Sequence, residues 1–259
     1  MLIEIQSNFS KTLAHKQIKQ FLNQINLNII REDQTESKIV MDLLKRTNDL
    51  IESIPLKKKG RFADEALSDF HNALSNTDIE FDNDIYFKES FGNSSRLDYG
   101  TGHELNFLCF LKCLVDDKKV KLNEVFLTIR EYFRIVRYFI AKFNVEPAGS
   151  KGIWGLDDYQ LLPFLLGSAE LRGTNVTFDE LIGNNEYCFG EALNYVIEVK
   201  GKEISAHSPL LYSYKEHNWD KVNNLIFKLY DESIFKNNVV NQHFIYSEHL
   251  KDTLIISDQ

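Results

Sequence analysis

Between Leu122 and Phe143 the apolar residues Val125, Phe126, Ile129, Tyr132, Phe133, Val136, Phe139, Ile140 and Phe143 recur at intervals of three and one. That spacing gathers one wide stripe on an α-helix sustained over several turns, and it does not fit the strict alternation of a strand. The opposite face carries Lys121, Glu124, Arg130, Glu131, Arg134, Arg137 and Lys142. The stripe is expected to enter a core and the charged face to meet water.

Weaker helical patterns cover residues 11–25, 37–54, 61–74, 104–115 and 221–231. Val196–Val199 reads as a short strand or as the end of a helix over residues 191–199 that Lys200-Gly201 would stop. The glycine stop favours the helix. No β-rich half is visible, so the fold class is all-α. The chain of 259 residues is 43% hydrophobic, with 19 Phe and 11 Tyr against only 4 Pro and 12 Gly, enough to bury a large core with little material for linkers. One large domain is expected, or two intimately packed lobes, with no internal repeat and no low-complexity tract.

A net charge of −8 argues against a general nucleic-acid binder, whose affinity comes from clustered Lys and Arg. The one basic run, Lys57-Lys58-Lys59, reads as a solvated turn. The N-terminal Met1-Leu2-Ile3-Glu4-Ile5 lacks a basic segment followed by a long apolar one, and no stretch approaches the roughly 18 apolar residues of a membrane span. The odd set Cys109, Cys113 and Cys188 favours reduced thiols. A soluble intracellular protein is expected, in cytoplasm, nucleus or both, with no membrane and no nucleic-acid partner.

Two stretches without helical period, residues 90–104 and 146–158, crowd glycines, polar residues and aromatics together. Loops of this kind are where a rigid scaffold carries function. The first runs through Arg96-Leu97-Asp98-Tyr99-Gly100-Thr101-Gly102-His103-Glu104 into an apolar helix. Amides at a helix start attract anions, Arg96 suits a phosphate or carboxylate, and the glycines let backbone approach a ligand. A well-capped helix start explains the same residues. The second reads Glu146-Pro147-Ala148-Gly149-Ser150-Lys151-Gly152-Ile153-Trp154-Gly155-Leu156-Asp157-Asp158. Its glycines would present Trp154 as an apolar platform, and Asp157 and Asp158 either hold magnesium or cap the next helix.

Other motif readings fail. Leu105 occupies the third glycine position of a dinucleotide fingerprint, and no Gly-Lys-Ser/Thr closes a phosphate loop. His103-Glu104 begins like a zinc-protease helix, but Phe107 stands where the second histidine is needed. Cys109 and Cys113 share a helical face without a nearby histidine and read as packing thiols rather than metal ligands.

Both loops resemble the signature segments of the phosphotyrosyl phosphatase activator family, Arg-x-Asp-Tyr-Gly-Thr-Gly-His-Glu at Arg96–Glu104 and Glu-Pro-Ala-Gly-Ser-x-Gly-x-Trp-Gly-Leu-Asp-Asp at Glu146–Asp158. The likeness extends to Arg61-Phe62, Gln160-Leu161-Leu162-Pro163-Phe164, Gly167-Ser168, His207-Ser208-Pro209-Leu210-Leu211, Trp219–Asn223 and Gln242-His243-Phe244, and is clearest over residues 61–244. Leu225 and Ser247 stand where the family usually has glycine.

The resemblance implies a single all-α domain over residues 1–259, with core, lid and linker parts. It implies an activator of serine/threonine protein phosphatase 2A that binds the catalytic and scaffold subunits and carries peptidyl-prolyl cis-trans isomerase activity on proline-containing peptide segments. ATP and magnesium are implied at the interface shared with the phosphatase, with no metal site of the chain's own. By the same resemblance, nucleotide or phosphatase contacts fall on Arg96, Tyr99, Gly100, Gly102, His103, Gly149, Lys151 and Gly152. Catalytic peptide contacts fall by resemblance on Trp154 and Asp158, and Tyr99 is a further candidate, as an aromatic floor for the proline ring alternative to Trp154. A noncatalytic, stoichiometric activation chaperone is the alternative, and an independent ATPase is disfavoured by the missing phosphate-transfer motifs.

Overall fold

The computed structural model describes residues 9–31, 33–58, 60, 62–149 and 155–255. In chain order its helices are α1 (Leu13–Asn28), α2 (Lys38–Ser53), α3 (Leu67–Ser75), α4 (Asp84–Lys88), α5 (Thr101–Asp116), α6 (Val125–Phe143), α7 (Leu162–Glu170), α8 (Cys188–Lys200), α9 (Ile204–His207), α10 (Pro209–Ser213), α11 (Trp219–Tyr230) and α12 (Asn238–Asn241). The described chain is all-α, apart from the two-residue strands β1 (Asp98–Tyr99) and β2 (Glu146–Pro147). None of these helices is long and apolar enough to cross a membrane.

Local chemistry sets the helix ends. Thr12 accepts a bond from the His15 amide at the start of α1, and Asn218 accepts from the Lys221 amide at the start of α11. These side chains satisfy amides that have no partner within the helix. Asn144 adopts a left-handed conformation to end α6, and Gly201 ends α8, which is helical throughout and excludes the strand reading of residues 196–199. A π-helical turn, Asp231–Phe235, follows α11.

The nine apolar residues of the α6 stripe are all buried. Two residues of its charged face depart from expectation. The side chains of Arg130 and Arg137 are only 11% and 12% exposed, because Glu191 on α8 and Gln160 draw them inward. Arg130 and Arg134 both donate to Glu191 Oε1, at 2.7 and 2.5 Å. Burial pushes the Glu191 carboxyl up, but hydrogen bonds from the two guanidiniums outweigh it and hold the group below its usual range.

Helix α5 is buried on nearly every side. The Phe107 ring stacks on Tyr132 of α6 at 3.8 Å and 3°. The Tyr132 hydroxyl donates to Ser90 O at 2.7 Å and meets the Tyr99 hydroxyl at 2.8 Å. Cys109, Cys113 and Cys188 are buried free thiols, and burial pushes Cys113 up to about 12. Buried apolar residues from Phe9 to Leu250 form one cluster. The C-terminal strand-like segment closes on the start of α1, where Leu13 N donates to Thr253 O and Ala14 N to Lys251 O, at 2.8 and 3.1 Å.

Glu104, in the first turn of α5, serves a different helix from its own. Its carboxyl oxygens accept from the backbone amides of Leu161 at 3.2 Å and Leu162 at 3.0 Å, capping α7 across the core. Burial pushes this carboxyl up to about 8, only partly offset by the two amides and Arg137, while nearby Asp157 reinforces the rise. Helix α7 packs between α8 and α11, and it does so through Gly167, where an added Cβ would lie 2.2 Å from Phe189 N.

Two predictions follow from this packing. Gly167→Ala is expected to destabilise the protein by about 1–3 kcal/mol, read from the denaturation midpoint, because backbone rather than a movable side chain occupies the space. For Glu104 the folded state retains a proton that the unfolded chain releases near the ordinary carboxyl value of 4.5. Its contribution is therefore fully present below that value and is lost as pH rises toward about 8. Glu104→Gln should flatten the fall in melting temperature across that window, and an unchanged slope would show the carboxyl to be ionised in the fold.

Candidate functional site

The two irregular loops are neighbours in space. β1 and β2 pair in parallel, with Asp98 opposite Glu146 and Tyr99 opposite Pro147. Ala148 N donates to Tyr99 O at 2.7 Å just beyond them. At Gly100 the chain is extended, and an added Cβ would stand 2.8 Å from the Ala148 Cβ, so glycine is needed there for the loops to approach. Two-residue strands are too short to leave an alternating pattern, so no periodicity signals this pairing.

The paired loops form one wall of a cleft of about 580 Å³. Arg96, Asp98, Gly102 and His103 come from the first loop and Gly149 from the second, while residues 239–245 form the facing wall. Arg96 Nε donates to both Asp98 oxygens, at 3.2 and 3.0 Å. His103 Nδ1 lies 2.7 Å from Glu89 O, an acceptor only, so this nitrogen carries the hydrogen. Its Nε2 then faces Asp98 Oδ1 at 3.8 Å. Burial raises the Asp98 carboxyl, but the His103 imidazole beside it and the bonds from Arg96 prevail and hold it below the usual range, so it is anionic at neutral pH.

The amides of Thr101 and Gly102, in the first turn of α5, have no hydrogen-bond partner among the described residues. A Cβ at Gly102 would touch only Val240 across the cleft, at 3.6 Å. This helix start is thus open to a ligand's acceptor atoms. Gly149 takes a φ of 92°, with nothing within 4 Å of an added Cβ, so it turns the chain at the cleft edge.

Tyr99 is corrected from a contact residue to a supporting one. It is fully buried, its hydroxyl is bonded to Tyr132, and its ring stacks on His103 at 5.7 Å. It orients the imidazole and offers no surface to a peptide. Gly100 likewise serves loop approach, since Ala148 covers it. Asp158 is half-buried and paired with Lys200 at 2.8 Å. Asp157 is buried and accepts from the amides of Tyr159 and Gln160, closing a turn within the loop, whereas the start of α7 is capped by Glu104. Burial raises its carboxyl, with Arg137 opposing. Among the described residues no group of three or more His, Cys, Asp or Glu gathers as a metal site. Lys151, Gly152 and Trp154, like Arg61 and Lys59, lie outside the described residues.

Sequence reasoning missed Glu89 and the facing wall, residues 239–245. Only the likeness of Gln242-His243-Phe244 to the family marked that wall, and no spacing tied it to the loops some 100 residues upstream.

The family model for phosphotyrosyl phosphate activator (PTPA) protein matches residues 4–252. A serine/threonine-protein phosphatase 2A activator of Encephalitozoon cuniculi is 40% identical over 245 residues, covering 94% of this chain and 94% of its own. Serine/threonine-protein phosphatase 2A activator 2 of Candida albicans is 34% identical over 240 residues, covering 81% and 67%. The crystal structure of the PP2A phosphatase activator Ypa1 matches with a TM-score of 0.84 at 27% identity, over 98% of this chain and 94% of that one. With the family model running through both loops and the facing wall, the chain belongs to the phosphotyrosyl phosphate activator (PTPA) family.

Proposed function

We propose that this chain activates serine/threonine protein phosphatase 2A by acting on its conformation, and that it does so as a peptidyl-prolyl cis-trans isomerase. The observation that carries the proposal is the registration of the two family motifs, side by side, in one wall of a single cleft. Relatives at 40% and 34% identity bear the activator name, which supports the first half of the reading. We take residues 1–259 as one domain, and the phosphatase catalytic and scaffold subunits as its partners.

Prolyl isomerisation crosses a barrier of about 18–20 kcal/mol without a covalent intermediate. A site accelerates it by favouring the twisted amide over either planar form. In this reading Trp154 supplies the apolar floor, since Tyr99 is buried beneath His103. A donor from the loops, Lys151 or an amide, bonds the peptide as its conjugation is lost. Each factor of ten in rate needs only about 1.4 kcal/mol of differential stabilisation, so one placed hydrogen bond yields a modest isomerase.

Nucleotide fits the same wall. The open amides of Thr101 and Gly102 and the Arg96 side chain offer donors for phosphate oxygens, and Lys151 would add a charge. Magnesium-ATP would supply charge neutralisation at a surface completed by the phosphatase. The chain's own residues hold that surface in shape, with Asp98 orienting Arg96 and facing His103.

The burial of Tyr99 favours one alternative, a noncatalytic chaperone that binds one phosphatase state more tightly than another. Titration of an inactive phosphatase 2A core enzyme with this protein, with and without magnesium-ATP, separates the two. Catalytic conversion is expected to give full activation at a small fraction of equimolar protein. Activation that tracks complex formation one for one would establish the chaperone instead, and no activation at any ratio would remove the assignment. Trp154→Ala at intact helicity should abolish peptide turnover; unchanged turnover would exclude Trp154 as the platform.

A further inference from the structure

A second cleft, of about 400 Å³, lies between α1 and α11 and shares no lining residue with the cleft of the two loops. Its floor is polar. Asn26 of α1 and Asn223 of α11 are buried and exchange carboxamide hydrogen bonds, at 2.9 Å in each direction. Asn223 also donates to Leu165 O and Ser168 Oγ of α7, at 3.1 and 3.0 Å. Asn26 donates only to Asn223 among the described residues, so its second N–H remains for the cleft that it lines.

The rim is cationic in a chain whose net charge is −8. Lys19, Arg172 and Lys228 line the cleft beside one carboxylate, Asp231. Lys19 lies 2.5 Å from Asp231, which Lys236 shares at 2.9 Å. The Trp219–Asn223 motif builds the neighbouring wall: Trp219 Nε1 donates to Val176 O at 2.6 Å, and Asp220 holds Arg172 beside the cleft. Arg172 meets Asp220 through Nε alone, at 2.9 Å, which leaves the terminal nitrogens of its fork without a partner among the described residues. Lys228 is exposed and makes no ion pair or hydrogen bond with any described residue.

We propose that this cleft is a second binding site, for a short acidic polypeptide segment of a protein partner. The proposal stands apart from the reading of the first cleft. The open end of the Arg172 fork matches a carboxylate bidentately, and Lys228 supplies a further positive charge. The spare Asn26 hydrogen and the exposed carboxamides of Asn23 and Asn224 meet the N–H and C=O groups of a peptide backbone. Half-buried Leu27 and Phe227 receive the apolar parts of the segment. Asp231 in the wall and the negative charge of the whole chain oppose a nucleic-acid backbone.

The test measures binding of the full chain, at low salt, to a dye-labelled peptide that alternates glutamate with glycine. Lys228→Glu removes one attraction and adds a repulsion, and should weaken binding roughly tenfold. Arg172→Lys keeps a charge for Asp220 but loses the fork, and should weaken it by a smaller factor. Lys45→Glu, the same charge change on an exposed residue of α2, and Arg96→Ala in the other cleft should leave binding unchanged. None of these side chains is buried, so every variant should keep the melting temperature of the parent. Equal weakening by Lys228→Glu and Lys45→Glu would reduce the effect to net charge and overturn the site. Weakening by Arg96→Ala alone would place the peptide in the other cleft and overturn it equally. No binding by the parent chain would refute the proposal outright, and displacement of the peptide by inorganic phosphate at the peptide's own concentration would assign the cleft to a simple anion instead.

Discussion

A carboxyl group buried in the first turn of α5 holds the site together. By accepting the two amides at the start of α7, Glu104 fixes the helix that begins after the second loop to the helix that begins after the first. Glu104 is fully buried, so removing this acceptor would leave buried amides unpaired, a cost of about 1–3 kcal/mol each. The registration of β1 with β2, the approach of Gly100 to Ala148, and the orientation of the cleft wall all lie between these two helix starts.

A second polar seam supports the first from the far side of α6. Arg130 and Arg134 converge on Glu191 of α8, while Arg137 reaches Gln160, two residues beyond Asp158. The Arg137 guanidinium also lies over the Tyr195 ring at 5.5 Å. Such a network adds little net stability over a well-packed apolar equivalent, but removing one member leaves a buried charge uncompensated. Its value here is geometric: through Gln160 it ties residues 155–160, which lead into α7, to the side of α6.

Helix existence and type were legible wherever apolar periodicity ran for three turns or more, as in α1, α2, α6 and α11. Boundaries moved where side chains, not periodicity, set them: α5 begins at Thr101 rather than near Glu104, because Gly100 takes the cap position. The helices α4, α9, α10 and α12, of four or five residues, are too short to show a period. The solvated reading of Arg130 and Arg137 failed because their partners, Glu191 and Gln160, lie 61 and 23 residues away, and charge patterning along one helix carries no information about another. In the site, the loops were legible as loops and their family by likeness. That Tyr99 turns inward while Arg96 stays outward was not, since alternation over two residues is below what a pattern can reveal.

The closure of the described ends on one another has a consequence for how the protein is made. The first amides of α1, at Leu13 and Ala14, find their acceptors at Thr253 and Lys251, among the last described residues to leave the ribosome. Until then the opening turn of α1 lacks part of its hydrogen bonding, and the apolar residues on that helix wait for a surface completed late. Joining segments about 240 residues apart carries a loop-closure cost that contacts within a helix do not, and that cost falls at the end of synthesis.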